Sequence, residues 1–295
     1  MVKTILVTGG CGFLGKSLIE RLINKRHDLY IKTLSRNENN IVKTITKCNS
    51  DQIHPVIGDV RDNDVIRYAL RNVDTVVHLA AMKHIDLCES NPKEAIEINV
   101  NSTINILNNF KGDTFVAMST DKAVGPLGCY GATKLLMEKL ILQKAKENPD
   151  KRYILIRSGN IFGSSGSVIE KWAEQLRERN EITITDPSMT RFFTHVDNLV
   201  DFIIEVMDKG KNGCIYIPNQ KAIKLEDLAN ATIKFLGNEN VRIRAIGLRK
   251  GERLHEDLYR EGEPIITDLI SESSQNAERM SLDEIINLLI KQGIR

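Results

Sequence analysis

A strand-forming run, Thr4-Ile5-Leu6-Val7, leads directly into Thr8-Gly9-Gly10-Cys11-Gly12-Phe13-Leu14-Gly15, and a helical pattern over Gly12–Asn24 follows. Three glycines at this spacing between a strand and a helix admit few folds. Gly9 permits the tight turn, Gly12 lets backbone approach a pyrophosphate, and Gly15 allows the helix to pack closely on the strand. The pyrophosphate would lie at the positive end of the helix dipole, beside Phe13 and Leu14. A glycine pattern alone is weak evidence. Its setting in a strand–turn–helix makes it a dinucleotide-binding signal.

The first half of the chain repeats that alternation. Strands are expected at Ile5–Val7, Tyr30–Leu34, His54–Ile57, Thr75–Leu79, Thr114–Met118 and Tyr153–Arg157, with helices between, notably Pro92–Asn109 and Tyr130–Glu147. This is the pattern of an α/β protein with a doubly wound, Rossmann-type parallel sheet. Beyond about Gly159 the pattern loosens into helices (Val168–Arg179, Asn198–Met207, Leu225–Leu236, Leu282–Lys291) and short strands (Ile182–Thr185, Cys214–Ile217). The expected organisation is a nucleotide-binding domain over residues 1–160 and a smaller mixed α/β substrate lobe over 161–295, the two interleaved. Asn37-Glu38-Asn39-Asn40 reads as a polar loop.

Composition narrows the function classes. Charged residues at 27% and a formal net charge of +2, with both signs interspersed, argue against a general nucleic-acid binder. The five cysteines are scattered, without Cys-x-x-Cys spacing, which fits reduced thiols in a cytoplasmic setting. The six histidines lack ligand spacing, so no metal is expected. The chain enters a strand almost at once, so no signal peptide is expected. No apolar run approaches the roughly 20 residues of a membrane span, so no membrane association is expected.

The second strand ends in Ser35-Arg36, where NAD-preferring folds place an acid for the ribose hydroxyls. Arg36 offers a planar fork for a 2′-phosphate and Ser35 a second donor, which favours NADP over NAD. The alternative is a solvated Arg36 with Glu38 in the acidic role. Asp59 and Val60, after the third strand, are expected near the adenine, and the small Leu79-Ala80-Ala81 segment along the cofactor path. Asn99 is grouped with the cofactor residues, although a buried amide there can equally fix backbone at a strand end.

Ser119-Thr120-Asp121-Lys122 follows the fifth strand, and Tyr130 and Lys134 stand four apart at the start of a helix, on one face. A tyrosine near pKa ~10 is a poor base, but an adjacent ammonium favours its phenolate. The pair then suits removal of a hydroxyl proton while a hydride leaves the same carbon. Taken alone, such a pair is more commonly a packed tyrosine beside a solvated lysine.

With these segments together, the sequence resembles the extended short-chain dehydrogenase/reductases, and within them the inverting UDP-N-acetylglucosamine 4,6-dehydratases that also epimerise C5. The resemblance rests further on Ala80-Ala81-Met82-Lys83-His84, Ser119 to Ala123, Tyr130 to Lys134, Gly159 to Val168, Met189-Thr190-Arg191-Phe192 and Arg249 to Glu256. It implies oxidation at C4 by tightly bound NADP+, with Tyr130 as base, Lys134 holding phenolate and ribose, and Thr120 on the C4 oxygen. Lys122 would remove the C5 proton and Asp121 would protonate the departing C6 hydroxyl. The product would be a 4-keto-6-deoxy sugar of L configuration.

The same resemblance implies a UDP-sugar clamp of Lys83, Asn160, Ser167, Val168, Thr190, Arg191, Arg249 and Glu252, with Lys83 facing cofactor or substrate, and a homodimer or higher homo-oligomer. Each basic residue, alone, is more often a surface charge. Likewise Thr120-Asp121 at a strand end can simply cap the next loop, with Lys122 solvated. His195 and His255 read as packing or hydrogen-bonding residues, and Lys250 stands where the family pattern has proline. The nearest rival is a nucleotide-sugar 4-epimerase or 4-ketoreductase on the same scaffold, which needs no acid–base pair for eliminating water. A non-catalytic NADP-binding sensor is the rival from another class.

Overall fold

The computed structural model describes residues 2–164, 166–236, 240–249, 251–269 and 271–293, so Lys250 lies outside the described residues. Its first half alternates strands β1 (Lys3–Thr8), β2 (Leu29–Ser35), β3 (Ile53–Ile57), β4 (Thr75–His78), β5 (Thr114–Thr120) and β6 (Arg152–Ser158) with helices α1 (Phe13–Lys25), α2 (Glu38–Cys48), α3 (Asn63–Ala69), α4 (Ile85–Ser90), α5 (Pro92–Ile96), α6 (Ser102–Asn109) and α7 (Cys129–Glu147). The second half contributes β7 (Asn160–Ile161), α8 (Val168–Glu178), β8 (Glu181–Ile184), β9 (Thr190–Thr194), α9 (Val196–Lys209), β10 (Ile215–Ile217), β11 (Lys221–Lys224), α10 (Leu225–Leu236), β12 (Arg242–Ala245), β13 (Ile265–Thr267) and α11 (Leu282–Lys291).

Eight strands form one sheet in the order β13-β10-β6-β5-β4-β1-β2-β3, and every pairing in it is parallel. The chain winds one way from β1 to β3 and the other way from β4 onward, so the switch point lies between β1 and β4. Ligands of such sheets bind at the strand ends there. The two-residue period of the strands divides the core. Leu6, Val76, Phe115 and Leu155 point to one face, among residues of α3, α6 and α7. Ile5, Val7, Val77, Val116 and Ile154 point to the other, among residues of α1 and α9. Burial on both faces explains why these strands read as continuous apolar runs.

A separate apolar cluster built on Phe162, Trp172, Ile182, Leu228 and Leu289 sits under α8, α10 and α11. Around it lie the three-stranded sheet β11-β9-β7 and the pair β12-β8. Both β10 and β13, from late in the chain, join the large sheet, and α9 packs on α1 and β5.

Three local expectations are corrected. Asn37 is not in a loop but N-caps α2, its side chain accepting from the Asn40 amide at 2.9 Å. The signal is weak because α2 buries only Ile41 and Thr44. The helix expected over Pro92–Asn109 is interrupted by a π-helical turn at Glu97–Asn101. Strands β9 and β11 fall in segments read without structure, being only five and four residues long. No helix among the described residues is long and apolar enough to cross a membrane.

Candidate active site

A cleft of about 1120 Å³ opens over the switch point. Its floor is the glycine turn. Gly9 has φ +69°, and a Cβ there would lie 2.9 Å from the Ala80 nitrogen. A Cβ on Gly15 would lie 2.5 Å from the Gly9 oxygen, so helix and turn touch backbone to backbone. Gly9, Gly12, Phe13, Leu14, Gly15, Ser35, Arg36, Asp59, Val60, Leu79, Ala80, Ala81 and Lys83 all line the cleft. These residues fit a dinucleotide: an open backbone cradle at a helix N-terminus, with a cation at the end of β2. Arg36 is 62% exposed and sits 3.4 Å from Asp59. Burial works against Asp59 ionising, but hydrogen bonds from Arg61 prevail and hold its carboxyl below the usual range.

Asn99 does not reach the cleft. It lies in the π-helical turn, its amide donating to Met82 O at 2.9 Å and to Thr133 Oγ1 at 3.0 Å, while its oxygen accepts from the Met82 amide at 2.8 Å. Its placement among cofactor residues is therefore corrected to a clamp that ties the loop after β4 to α7. Fully buried His78 bonds Thr8 Oγ1 at 2.7 Å, and that hydroxyl also accepts from the Ala80 amide at 3.3 Å, fixing the same loop from β1.

The chemistry-bearing wall is built by the end of β5 and the first turns of α7. Thr120, Lys122, Tyr130 and Lys134 all line the cleft. Thr120 both caps and connects: its Oγ1 accepts from the Lys122 amide and donates to Asp121 Oδ1 at 2.8 Å. Lys122 Nζ lies 2.9 Å from the same oxygen and 3.4 Å from Asn160 Oδ1. Asp121 itself is fully enclosed and does not line the cleft. Its second oxygen has no hydrogen-bond partner among the described residues. It reaches the cleft only through Thr120 and Lys122.

Tyr130 is pushed above the ordinary phenol range, first by burial; a hydrogen bond with Thr120 pulls the other way, and Asp121 pushes up again. The lowering expected from Lys134 is not what this arrangement produces. Burial brings the Lys134 ammonium down to about 8, Glu138 opposing, and Nζ donates to Met118 O at 2.7 Å. Lys134 is thus held by the β5 backbone beneath the cleft.

Period two sorts the far wall. Along β9 and the residue before it, Met189, Arg191 and Phe193 line the cleft. Thr190 points away, hydrogen-bonded to His255 Nδ1 at 2.8 Å and Ser274 Oγ at 2.9 Å. Its expected contact with substrate is corrected to packing. Arg191 is 8% exposed, and its guanidinium donates to the backbone oxygens of Thr190 (2.8 Å), Leu254 (3.1 Å) and Arg253 (2.6 Å). It binds the 249–256 segment to β9 and keeps only part of its fork for a ligand.

Asn160, Ser167, Val168, Arg249 and Glu252 also line the cleft. Ser167 N-caps α8, and Arg249 bridges to Asp86 on α4 at 3.2 Å. His195 N-caps α9. The residue that sequence reasoning passed over is Glu256, 4% exposed and 3.9 Å from Lys122 Nζ. Its only signal was its place in the quoted segment ending Leu254-His255-Glu256.

The chain is similar to known proteins along most of its length. UDP-glucose 4-epimerase of Rickettsia typhi is 34% identical over 98% of this chain and 95% of its own. The structure of Pen from Bacillus thuringiensis superposes with a TM-score of 0.91 at 31% identity, covering 99% of this chain and 98% of that one. DesIV, a dTDP-glucose 4,6-dehydratase from Streptomyces venezuelae solved with NAD and TYD bound, shares the fold, with a TM-score of 0.78 at 20% identity over 97% of this chain and 96% of that one. The polysaccharide biosynthesis protein family matches residues 5–276, and the chain belongs to it, with the Rossmann fold of nucleotide-sugar epimerases and dehydratases.

Proposed function

We propose that the protein catalyses NADP-dependent 4,6-dehydration of UDP-N-acetylglucosamine with inversion at C5. One observation carries the reading: Thr120 Oγ1 and Lys122 Nζ, both on the cleft wall beside Tyr130, meet at the same Asp121 oxygen. A C4 redox step alone needs the tyrosine but not this extra acid–base group.

A nicotinamide dinucleotide bound at the glycine turn supplies hydride removal and return. Tyr130 would take the C4 hydroxyl proton as phenolate, a form its burial disfavours until the positive charge of an oxidised nicotinamide lies beside it, with Thr120 orienting that oxygen. Lys122 takes the C5 proton, which the C4 ketone acidifies. Asp121 supplies the proton for the departing C6 hydroxyl by way of Thr120 or Lys122, since its own oxygens are enclosed. Arg249, Asn160, Ser167 and the free part of the Arg191 fork hold the nucleotide sugar. Arg36, at the position of the usual ribose-binding acid, supports NADP. The exposed apolar side chains Leu87, Ile96 and Leu136 support a homodimer on the α4, α5 and α7 face.

The test is proton NMR of UDP-N-acetylglucosamine with the purified protein in deuterated water. A new C6 methyl, deuterium at C5 and no net cofactor consumption are expected, and the Lys122→Met variant should lose the methyl and the C5 deuterium. The second reading, a nucleotide-sugar 4-epimerase, is favoured by the name of the rickettsial relative. It predicts a C4 epimer and no methyl signal.

A further inference from the structure

Lys122 lines not only the substrate cleft but also a smaller cavity behind it. That cavity, of about 20 Å³, is bounded by Lys122, Tyr130, Arg253 and Glu256, with Gly128 and Gly251 at its rim. A single water needs roughly 10–15 Å³ and at least two polar partners, and the cavity meets both conditions. Glu256 Oε1 stands 3.9 Å from Lys122 Nζ, just beyond a direct hydrogen bond, and both residues line this cavity, so a water in it can touch both; Arg191 Nε, on the wall of the larger cleft, lies 3.8 Å from the same oxygen.

The backbone of Glu256 is fixed from both sides, its amide donating to Ser274 Oγ at 2.9 Å and its oxygen accepting from the Ser274 amide at 2.8 Å. Lys122 therefore has two carboxylates of different kind. Asp121 is bound tightly and sealed from the cleft side; Glu256 is looser and faces the back cavity.

We propose that Glu256 is the proton-holding partner of Lys122, receiving through the back cavity the proton that Lys122 takes from the substrate. The proposal rests on the dehydratase reading. The step balances as one proton moved: the Lys122 ammonium becomes an amine and the Glu256 carboxylate becomes a carboxylic acid. The restored amine can then act again while substrate remains in the cleft. Burial raises the Glu256 carboxyl above its ordinary range; Lys122, Arg191 and Arg253 pull it down and Asp121 pushes it up, so it is suited to hold a proton nearer neutrality. These are the charged groups facing it from the 3₁₀ turn Asp121–Ala123 that follows β5, from β9 and from its own segment, with the Tyr130 phenol on the α7 side.

The test compares wild type, Glu256→Gln and Glu256→Asp with UDP-N-acetylglucosamine in deuterated water, following methyl formation, C5 deuteration, kcat, KM and the pH profile of kcat. Glu256→Gln is expected to lower kcat about tenfold or more, with KM within about twofold, and to erase the acid limb of the profile. Glu256→Asp should show an acid limb again, displaced from its wild-type position. A Glu256→Gln enzyme with wild-type kcat and profile overturns the proposal.

Should Glu256→Gln not fold, Glu256→Asp decides alone: a displaced acid limb supports the proposal and an unmoved one overturns it. A wild type that makes no 6-deoxy product removes the dehydratase reading and this inference with it. A wild type that does make it, paired with unaltered variants, removes the inference only.

Discussion

Arg157, on β6 and fully buried, places its Nη2 2.7 Å from Glu138 Oε2 on α7, one turn beyond Lys134. The same guanidinium holds Glu263 at 2.8 Å and donates to Leu258 O at 2.9 Å. One side chain thus ties the sheet, the helix carrying Tyr130 and Lys134, and the late segment that carries Glu256. Breaking a buried pair strands its partner, at a cost of about 3–5 kcal/mol. Arg157→Leu is expected to lose stability of that order in urea unfolding, whereas the surface pair Lys209–Glu205 should tolerate Lys209→Ala with a loss below about 1 kcal/mol.

His78 sets a pH dependence. Burial, with Lys134 adding to it, brings its pKa down from the ordinary 6.5 to about 3. The unfolded chain binds the proton first as pH falls, so the stability associated with a neutral His78 is complete above about 6.5 and is lost toward about 3. The loss is on the order of 5 kcal/mol. Thermal unfolding between those limits should show a shallower acid decline in His78→Gln than in wild type. Equal slopes would assign the decline to other groups.

Gly15 and Gly12 separate packing from binding. A Cβ on Gly15 meets the Gly9 oxygen at 2.5 Å and Gly10 Cα at 2.6 Å, whereas one on Gly12 meets only the Gly9 oxygen, at 3.1 Å. Gly15→Ala should therefore cost about 1–3 kcal/mol of stability by overpacking. Gly12→Ala should be nearly as stable as wild type yet bind dinucleotide more weakly. Differential scanning fluorimetry and cofactor titration read the two effects separately.

Arg36 is expected to set cofactor choice. Replacing a charge-assisted contact to phosphate costs about 1.5–3 kcal/mol, or roughly 10–100-fold in affinity. Arg36→Ala should weaken NADP by that factor and leave NAD within about threefold, as measured by titration calorimetry. If wild type binds NAD at least as tightly as NADP, the assignment falls.

The sequence by itself determined what depends on neighbours along the chain. The strand–glycine–helix start, the buried strands β1 to β6 and the Tyr130–Lys134 pair all follow from periods of two and about four residues. It also named most residues of the cleft wall, because they cluster at strand ends, where a doubly wound sheet places its ligands. Short elements with little buried surface, such as α2 and β11, left too weak a pattern.

Only the tertiary structure decided which way each candidate points. Thr190 and Arg191 are adjacent in sequence, yet one faces the packed interior and the other the cleft, because β9 is a strand. Asp121 is sealed while Lys122 lines the cleft, although their side chains meet at 2.9 Å. Glu256 comes behind Lys122 through the contacts of the late segment with β9 and Ser274, and no local pattern encodes that meeting. Register and long-range packing are collective properties of the folded chain, so a residue's partner across the site becomes legible only when the sheet and its covering lobe are assembled.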